Sequence, residues 1–413
     1  MSELKFNRYA AREGNPGWEK LISRRSELYS RRDDVRSPFA RDYTRILHSM
    51  AYRRLKHKTQ VFYNIDNDHI CTRMEHVNHV DSVSSTIAKA LGLNEELTRA
   101  ISIGHDLGHA PFGHQGERVI RQLSEKYLHR SFWHEENGLR FVDKIELLED
   151  NYKISRNLDL TYAVRDGIIS HCGEVDQNGI FPRDLSIPIE DFDTAGKYQA
   201  ATWEGCVVKM ADKIAYVGRD IEDAVNLGFL DRADQDELLK MARANDERVM
   251  NTTVIMHNMI IDICQNSSPE TGVSMSQKFN EQLKEVKAFN YEHIYRHSRL
   301  EPFNHYSELV LTQLFETMYS FYEGGGAGTL RRLEKNRHFT PVLIGDFMNW
   351  LGRYCAESIL PEGELKELSR SCENEKIYQE LQTPELYIQA IIDYISGMTD
   401  RFAISRFNEL ITY

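Results

Sequence analysis

Long hydrophobic runs are missing from this chain of 413 residues. None approaches the roughly 20 apolar residues that a membrane-spanning helix needs. The opening Met1-Ser-Glu-Leu-Lys-Phe-Asn lacks the apolar core of a secretory signal, so a cytoplasmic protein with no membrane partner is expected. Cysteine is scarce and never paired: Cys71, Cys172, Cys206, Cys264, Cys355 and Cys372 contain no Cys-x-x-Cys, which speaks against a zinc ribbon and a disulfide framework. Positive charge is in deficit. With a net charge of −12 the chain as a whole repels a polyanion, which disfavours generic nucleic-acid binding. There is no internal repeat, no low-complexity tract and no P-loop, since the glycine run at Gly324 to Gly328 lacks the Gly-Lys-Ser/Thr that would have to follow it.

What is present is the profile of a globular protein, with 41% hydrophobic and 28% charged residues. The length exceeds one ordinary core. We expect a polar N-terminal arm over 1–35, a core over 36–270 and a helical C-terminal region over 271–413 packed on it. Helical periodicity dominates: from Glu75 to Leu91 with Gly92 as a C-cap, onward from Asn94 as an N-cap, over Trp203 to Val225, and lastly over Pro384 to Met398. The expected fold is therefore all-α with at most a short β-hairpin, the one strand pair being Thr59 to Tyr63 with Ile65 to His69.

The stretch Ile101 to Glu117 packs His105, His109, His114, Asp106 and Glu117 among small and apolar residues, a composition no ordinary helix surface needs. His105 followed directly by Asp106 offers a nitrogen and an oxygen to one cation, and His109 one turn on is expected to share the face of His105. Two adjacent side chains do not complete a metal site. His76, heading an amphipathic helix, and Asp212, in the apolar run Val207 to Tyr216, are the candidates for the remainder. Burying an unpaired carboxylate is costly, and coordination would account for it. Taken singly, Asp212 fits a lysine partner or a cap equally well, and His76 fits a structural histidine. Together the four make a mixed nitrogen and oxygen set suited to a borderline or hard divalent ion.

The order His, His-Asp, Asp is the signature of the HD superfamily of metal-dependent phosphohydrolases, and further blocks narrow the resemblance. Arg36 to Phe62, Thr72-Arg-Met-Glu-His, Gly104-His-Asp-Leu-Gly-His-Ala-Pro-Phe-Gly-His-Gln-Gly-Glu, Ala211-Asp-Lys-Ile-Ala-Tyr and Asp393-Tyr-Ile-Ser-Gly-Met-Thr-Asp-Arg run in order along the chain. They resemble the blocks of bacterial deoxynucleoside triphosphate triphosphohydrolases, the dGTPase-like family. The resemblance implies hydrolysis of a dNTP at the α-phosphate to a deoxynucleoside and inorganic triphosphate. It implies His76, His105, Asp106 and Asp212 as ligands of one divalent cation, with Mn, Mg, Zn, Fe, Co and Ni not distinguished. His109 and His134, with Glu117 as a carboxylate partner, match the catalytic acid/base group, although Trp133 and Gly138 near His134 stand where polar residues are more usual. Gln60, Arg73, Lys213, Tyr216, Asp220, Tyr291 and Tyr295 match substrate contacts. A homo-oligomer, often a hexamer, and dNTPs or single-stranded DNA as effectors are implied in the same way.

Elementary chemistry agrees with several of these roles. The cation, Arg73 and Lys213 supply positive charge to a developing oxyanion, and Glu117 is placed to fix the tautomer of His109. His109 or His134 is the general acid for the 5′-oxygen or the base for the water; the residues alone do not say which. Asp212, Tyr216 and Asp220 recur at helical spacing, and a tyrosine ring against C2′ selects deoxyribose by exclusion. The basic cluster Arg41, Arg45, Arg53, Arg54, Lys56 and Lys58 reads either as an anion approach or as a solvated helix face. His114 is read as supporting, and His48, His57, His69, His171, His293 and His297 stay unassigned. Two other functions fit the residues: an HD phosphohydrolase acting on a nucleoside monophosphate or a cyclic nucleotide, and a nucleotide- or ssDNA-sensing regulator with a vestigial site.

Overall fold

The computed structural model describes residues 5–26, 34–62, 69–172, 178–243 and 252–412, without the side chains of Tyr216, Val217, Thr252 and Thr253. It is helical nearly throughout, as expected, with one small sheet. Contacts gather the chain into two units, each assembled from three separate stretches. One comprises Met1–Leu47, Gln60–Asp106 and Asp159–Glu301; the other comprises His48–Thr59, Leu107–Leu158 and Pro302–Tyr413.

In the first unit the helix Arg73–Leu91 packs against Glu95–Gly104 and Trp203–Asn226. Its start is fixed by a capping box in which Thr72 and Glu75 satisfy each other's backbone donors. It ends at Gly92, whose φ of +85° suits a residue without a Cβ. Asn94 then caps the next helix, its side chain accepting from the Leu97 amide at 3.0 Å with Glu95 and Glu96 in the first turn. The helix Tyr162–Ser170 lies close on Glu95–Gly104 because glycine stands at both contacts: a Cβ on Gly104 would meet Ile168 at 2.9 Å, and one on Gly167 would meet Ile101 at 2.6 Å. The expected N-terminal arm is anchored here. Phe6 is buried against Trp203, and the Ala11 and Asn94 amides both donate at 2.9 Å to the carboxylate of Glu204.

The second unit holds Gly113–Leu128, His134–Arg140, Glu301–Tyr319, Gly326–Asn336, Pro341–Tyr354 and Pro384–Ser396. Its final helix is Asp400–Ile411, beyond the one read as the last from the sequence. The strand pair expected at 59–69 is not found among its described residues, and 63–68 lie outside them. The hairpin instead joins Leu147–Glu149 to Ser155–Asn157, with Leu148 opposite Arg156, and Cys372–Glu373 adds a parallel edge to the second strand. Asp150 makes the turn, its carboxylate accepting from the amides of Tyr152 and Ile154.

The glycine run read as a loop or flexible boundary is divided by packing. A Cβ on Gly326 would lie 2.3 Å from Ile359 and 2.5 Å from the Glu380 carbonyl, whereas one on Gly325, whose backbone is extended, would meet nothing within 4 Å. Gly326→Ala is therefore expected to destabilise by about 1–3 kcal/mol through overpacking. Gly325→Ala should leave thermal unfolding of the same protein unchanged.

Candidate metal centre and acid/base cluster

Arg73 and His76 stand one turn apart at the capped start of their helix. The Nε2 of His76 lies 3.0 Å from Oδ1 of Asp212, which comes from the middle of Trp203–Asn226. His105 caps the C-terminus of Glu95–Gly104, where its Nδ1 lies 2.6 Å from the Ser102 carbonyl. A carbonyl only accepts, so Nδ1 carries the proton and Nε2 the lone pair. That Nε2 is buried without a hydrogen-bond partner and lies 3.8 Å from a carboxylate oxygen of Asp106 and 3.8 Å from one of Asp212. Ligand atoms of His76, His105 and Asp212 all fall within 4.8 Å of one another. An orphaned lone pair facing two carboxylates fits a divalent cation, and the backbone bond that fixes the tautomer is the usual support of a ligating imidazole.

The electrostatics of the set follow from burial. Burial alone would push the Asp212 carboxyl up, but the hydrogen bond from His76 and the charge of that imidazole hold it well below the usual range. Burial keeps His105 neutral, the state in which an imidazole can ligate. His76 is also penalised by burial, yet its bond to Asp212 raises it.

Arg73 is 1% exposed and donates from Nη1 to Asp106 at 2.9 Å, while its Nε and Nη2 are buried with no partner. A desolvated guanidinium with open donors is a seat for an anion. Lys213 is buried one residue beyond Asp212. Two turns on, Asp220 accepts from the Tyr295 hydroxyl at 2.5 Å, and its other oxygen is buried and unpartnered. Burial pushes Asp220 up to about 7 despite that bond. Tyr216 lies between Asp212 and Asp220 on the helix, with its side chain outside the described residues. Gln60 is half-buried with an unpartnered Oε1. Tyr291 is not gathered with these groups: it is 53% exposed, with Arg296 over its ring and bonded to its hydroxyl.

The second unit carries the other cluster. The His109 and His134 rings stack at 3.8 Å and 19°. The Nδ1 of His134 lies 3.0 Å from Oε2 of Glu117, whose other oxygen accepts from Arg121 at 2.8 Å. Glu117, read as the carboxylate partner of this histidine group, is bonded to His134, and its ligand atom lies within 4.8 Å of those of both rings. Burial would raise Glu117, but the charges of His134 and then His109 hold it well below its usual range. The shared helical face expected for His105 and His109 does not form, because the helix ends at Gly104 and a turn follows. Gly108 is obligatory in that turn, since a Cβ there would lie 2.0 Å from the His134 carbonyl and 2.1 Å from the Gly138 amide. His114 is exposed, 5.8 Å edge-on from His109.

Comparison with known proteins matches residues 73–217 to the HD domain and 273–334 to the phosphohydrolase-associated domain. A deoxyguanosinetriphosphate triphosphohydrolase-like protein of Caldanaerobacter subterraneus subsp. tengcongensis is 34% identical over 379 residues, 91% of this chain and 86% of the relative. The chain belongs to the deoxyguanosinetriphosphate triphosphohydrolase-like family. Proteins of that name from Clostridium perfringens SM101 and Geobacter metallireducens are 33% and 31% identical, over 92% and 91% of this chain and 88% and 89% of theirs. Membership makes it an HD phosphohydrolase, and the HD domain implies a divalent metal for which the His76, His105 and Asp212 group is suited.

His171 was not singled out by the sequence. It caps Tyr162–Ser170 as His105 caps its own helix, with Nδ1 2.7 Å from the Ile168 carbonyl, and its ring stands edge-on to His105 at 5.0 Å. The only signal was a histidine closing an apolar helix. The basic cluster at 41–58 is largely consumed internally: Arg41 faces Asp34, Arg45 bonds the Asp159 carbonyl, Arg54 pairs with Glu146, and Lys58 is buried. Arg53 and Lys56 remain exposed.

Two outcomes are expected. Asp212→Asn should weaken binding of a divalent ion more than roughly 100-fold, read as metal retained after dialysis by a protein that still melts cooperatively; full retention removes Asp212 from the ligand set. Asp220 has a folded pKa of about 7 against an unfolded value of 3.8, so its contribution to stability is full below about pH 4 and is lost as pH rises through 7. Asp220→Asn should then gain on the wild type in thermal midpoint between pH 5 and pH 8. A constant difference across that window would show that Asp220 stays ionised.

Proposed function

We propose that this protein hydrolyses deoxynucleoside triphosphates at the α-phosphate, releasing a deoxynucleoside and inorganic triphosphate. The observation that carries the reading is Arg73, a fully buried guanidinium with two open donor nitrogens beside the metal set. Such a group calls for a polyanion that reaches the cation. His76, His105, Asp106 and Asp212 would hold the cation, which when bound supplies Lewis-acid charge to the phosphate and acidifies a water. Arg73 then takes phosphate oxygens through Nε and Nη2, with Lys213 as a second cationic contact. Asp220, with Tyr295 bonded to it, keeps a free oxygen for the 3′-hydroxyl, and Gln60 offers its Oε1 to the sugar and base. Tyr216 is read as the ring excluding a 2′-hydroxyl, and Tyr291 as an outer contact.

In the reaction water adds to the α-phosphorus and the bond from phosphorus to the 5′-oxygen breaks, its electron pair leaving on that oxygen. One proton comes off the water and one is delivered to the 5′-oxygen. Glu117 holds the proton of His134 on Nδ1, which leaves Nε2 as the atom that exchanges protons with the reacting groups. His109, stacked on that ring, is the second proton carrier. Hydrolysis at the α-phosphate calls for proton carriers as well as a cation, and we read the two clusters as supplying one each.

The test is incubation of the purified protein with each of the four dNTPs and each of Mn, Mg, Zn, Fe, Co and Ni, with inorganic triphosphate and deoxynucleoside measured together. Equal amounts of the two are expected with at least one ion. Orthophosphate or pyrophosphate in place of triphosphate would put the cut at another phosphorus, and no triphosphate with any combination would overturn the reading.

A further inference from the structure

The loop that carries His109 is held by charges that do no chemistry themselves. The backbone of this loop is pinned at Gly108, His109 and Phe112. The Gly108 carbonyl accepts from Asn137 at 2.7 Å, and the His109 carbonyl accepts from the ammonium of Lys58, which also donates to the Ser396 carbonyl at 3.1 Å. The Phe112 amide donates to Oδ1 of Asp400 at 2.9 Å. The other oxygen of Asp400 accepts from the amide of Thr59 at 3.1 Å and from its hydroxyl at 2.7 Å. Lys58 is 2% exposed and Asp400 5%. All of these residues belong to the second unit.

Two features make this more than ordinary packing. Phe112 has φ of +64°, a left-handed conformation that a bulky side chain adopts only where its surroundings over-determine it, and the Asp400 bond to its amide is one such determinant. The anchors are also expensive. Burying an ammonium and a carboxylate to hold main-chain groups costs more than neutral partners would. The outlay falls on the one loop that delivers an imidazole to the His134 stack.

We propose that Lys58 and Asp400 are positioning residues for His109, fixing the backbone of its loop from two sides so that the imidazole keeps one location through turnover. The inference rests on His109 being an acid/base group, as read above. Misplacement of a reacting group by about 1 Å can cost about 100-fold in rate.

The experiment compares Lys58→Met, Asp400→Asn and His109→Ala with the wild type, all as metal-loaded full-length protein, on the dNTP turned over fastest. Tyr354→Phe, which loses a buried bond to the Ile145 carbonyl elsewhere in the unit, serves as the control for general loosening. Lys58→Met and Asp400→Asn should each lower kcat about 100-fold with KM and metal content near the wild type and a displaced limb in the pH dependence of kcat. Amide exchange over 108–113 should accelerate in both, and Tyr354→Phe should do none of this. Should one variant fail to fold, the other reads the same loop from its opposite anchor. The inference is overturned if both anchor variants keep kcat within about two-fold while His109→Ala abolishes it, whatever the exchange rates. A wild-type rate in His109→Ala would sink the reading of His109 and this inference with it.

Discussion

A carboxylate withdrawn from water between two imidazoles is the constraint that the first unit depends on. Asp212 sits in a helix whose neighbours are apolar, where a lone carboxylate would be expelled or protonated. It stays ionised because the start of Arg73–Leu91 and the end of Glu95–Gly104 bring His76 and His105 against it. Each approach needs its own local device. The Thr72 and Glu75 box sets where His76 stands, and the Ser102 carbonyl turns His105 so that its lone pair faces the acids. Gly104 lets the Tyr162–Ser170 helix lie close, which brings in His171 as well. Caps, glycine contacts and buried charge are therefore parts of one arrangement that would be too costly without something to fill it.

Much of this was legible in the chain because it is local. Gly92 and Asn94 punctuate consecutive helices where their backbone preferences say they should. Histidine and aspartate in apolar surroundings pointed to the cluster of His76, His105 and Asp212 for the same reason that they are expensive there. Other features depend on partners distant in sequence. That Glu117 reaches His134 depends on the approach of Gly108 to the backbone at 134–138, and spacing carries no trace of it. The helix expected to carry His105 and His109 on one face stops at Gly104, so a periodicity argument failed at the point where the chain turns toward function. His171 was invisible because a capping histidine looks like any buried one.

Charge counting failed for a related reason. The basic residues from Arg41 to Lys58 read either as an anion approach or as a solvated helix face, yet four of the six face internal acids or carbonyls or are buried. The hairpin was missed at Leu147–Asn157 because it is short and polar on its turn, and its edge is completed by Cys372–Glu373, more than 200 positions on. The interleaving of the two units is likewise a property of contacts, since each takes three stretches of chain that composition does not mark.

The stacked pair explains why no reading of residue types could tell the general acid from the base. Two imidazoles with ring centres 3.8 Å apart cannot both be charged cheaply, and one of them is bonded to a carboxylate that is itself clamped by Arg121. Glu117 is bonded to His134 on one oxygen and to Arg121 on the other, so the His134 side of the pair is held from outside the stack. In the proposed reaction two adjacent rings can give a proton at one place and take one at another. Which ring does which is then set by how rigidly each is held, and that is a property of the loop at 108–113 and the helix at 134–140, not of histidine.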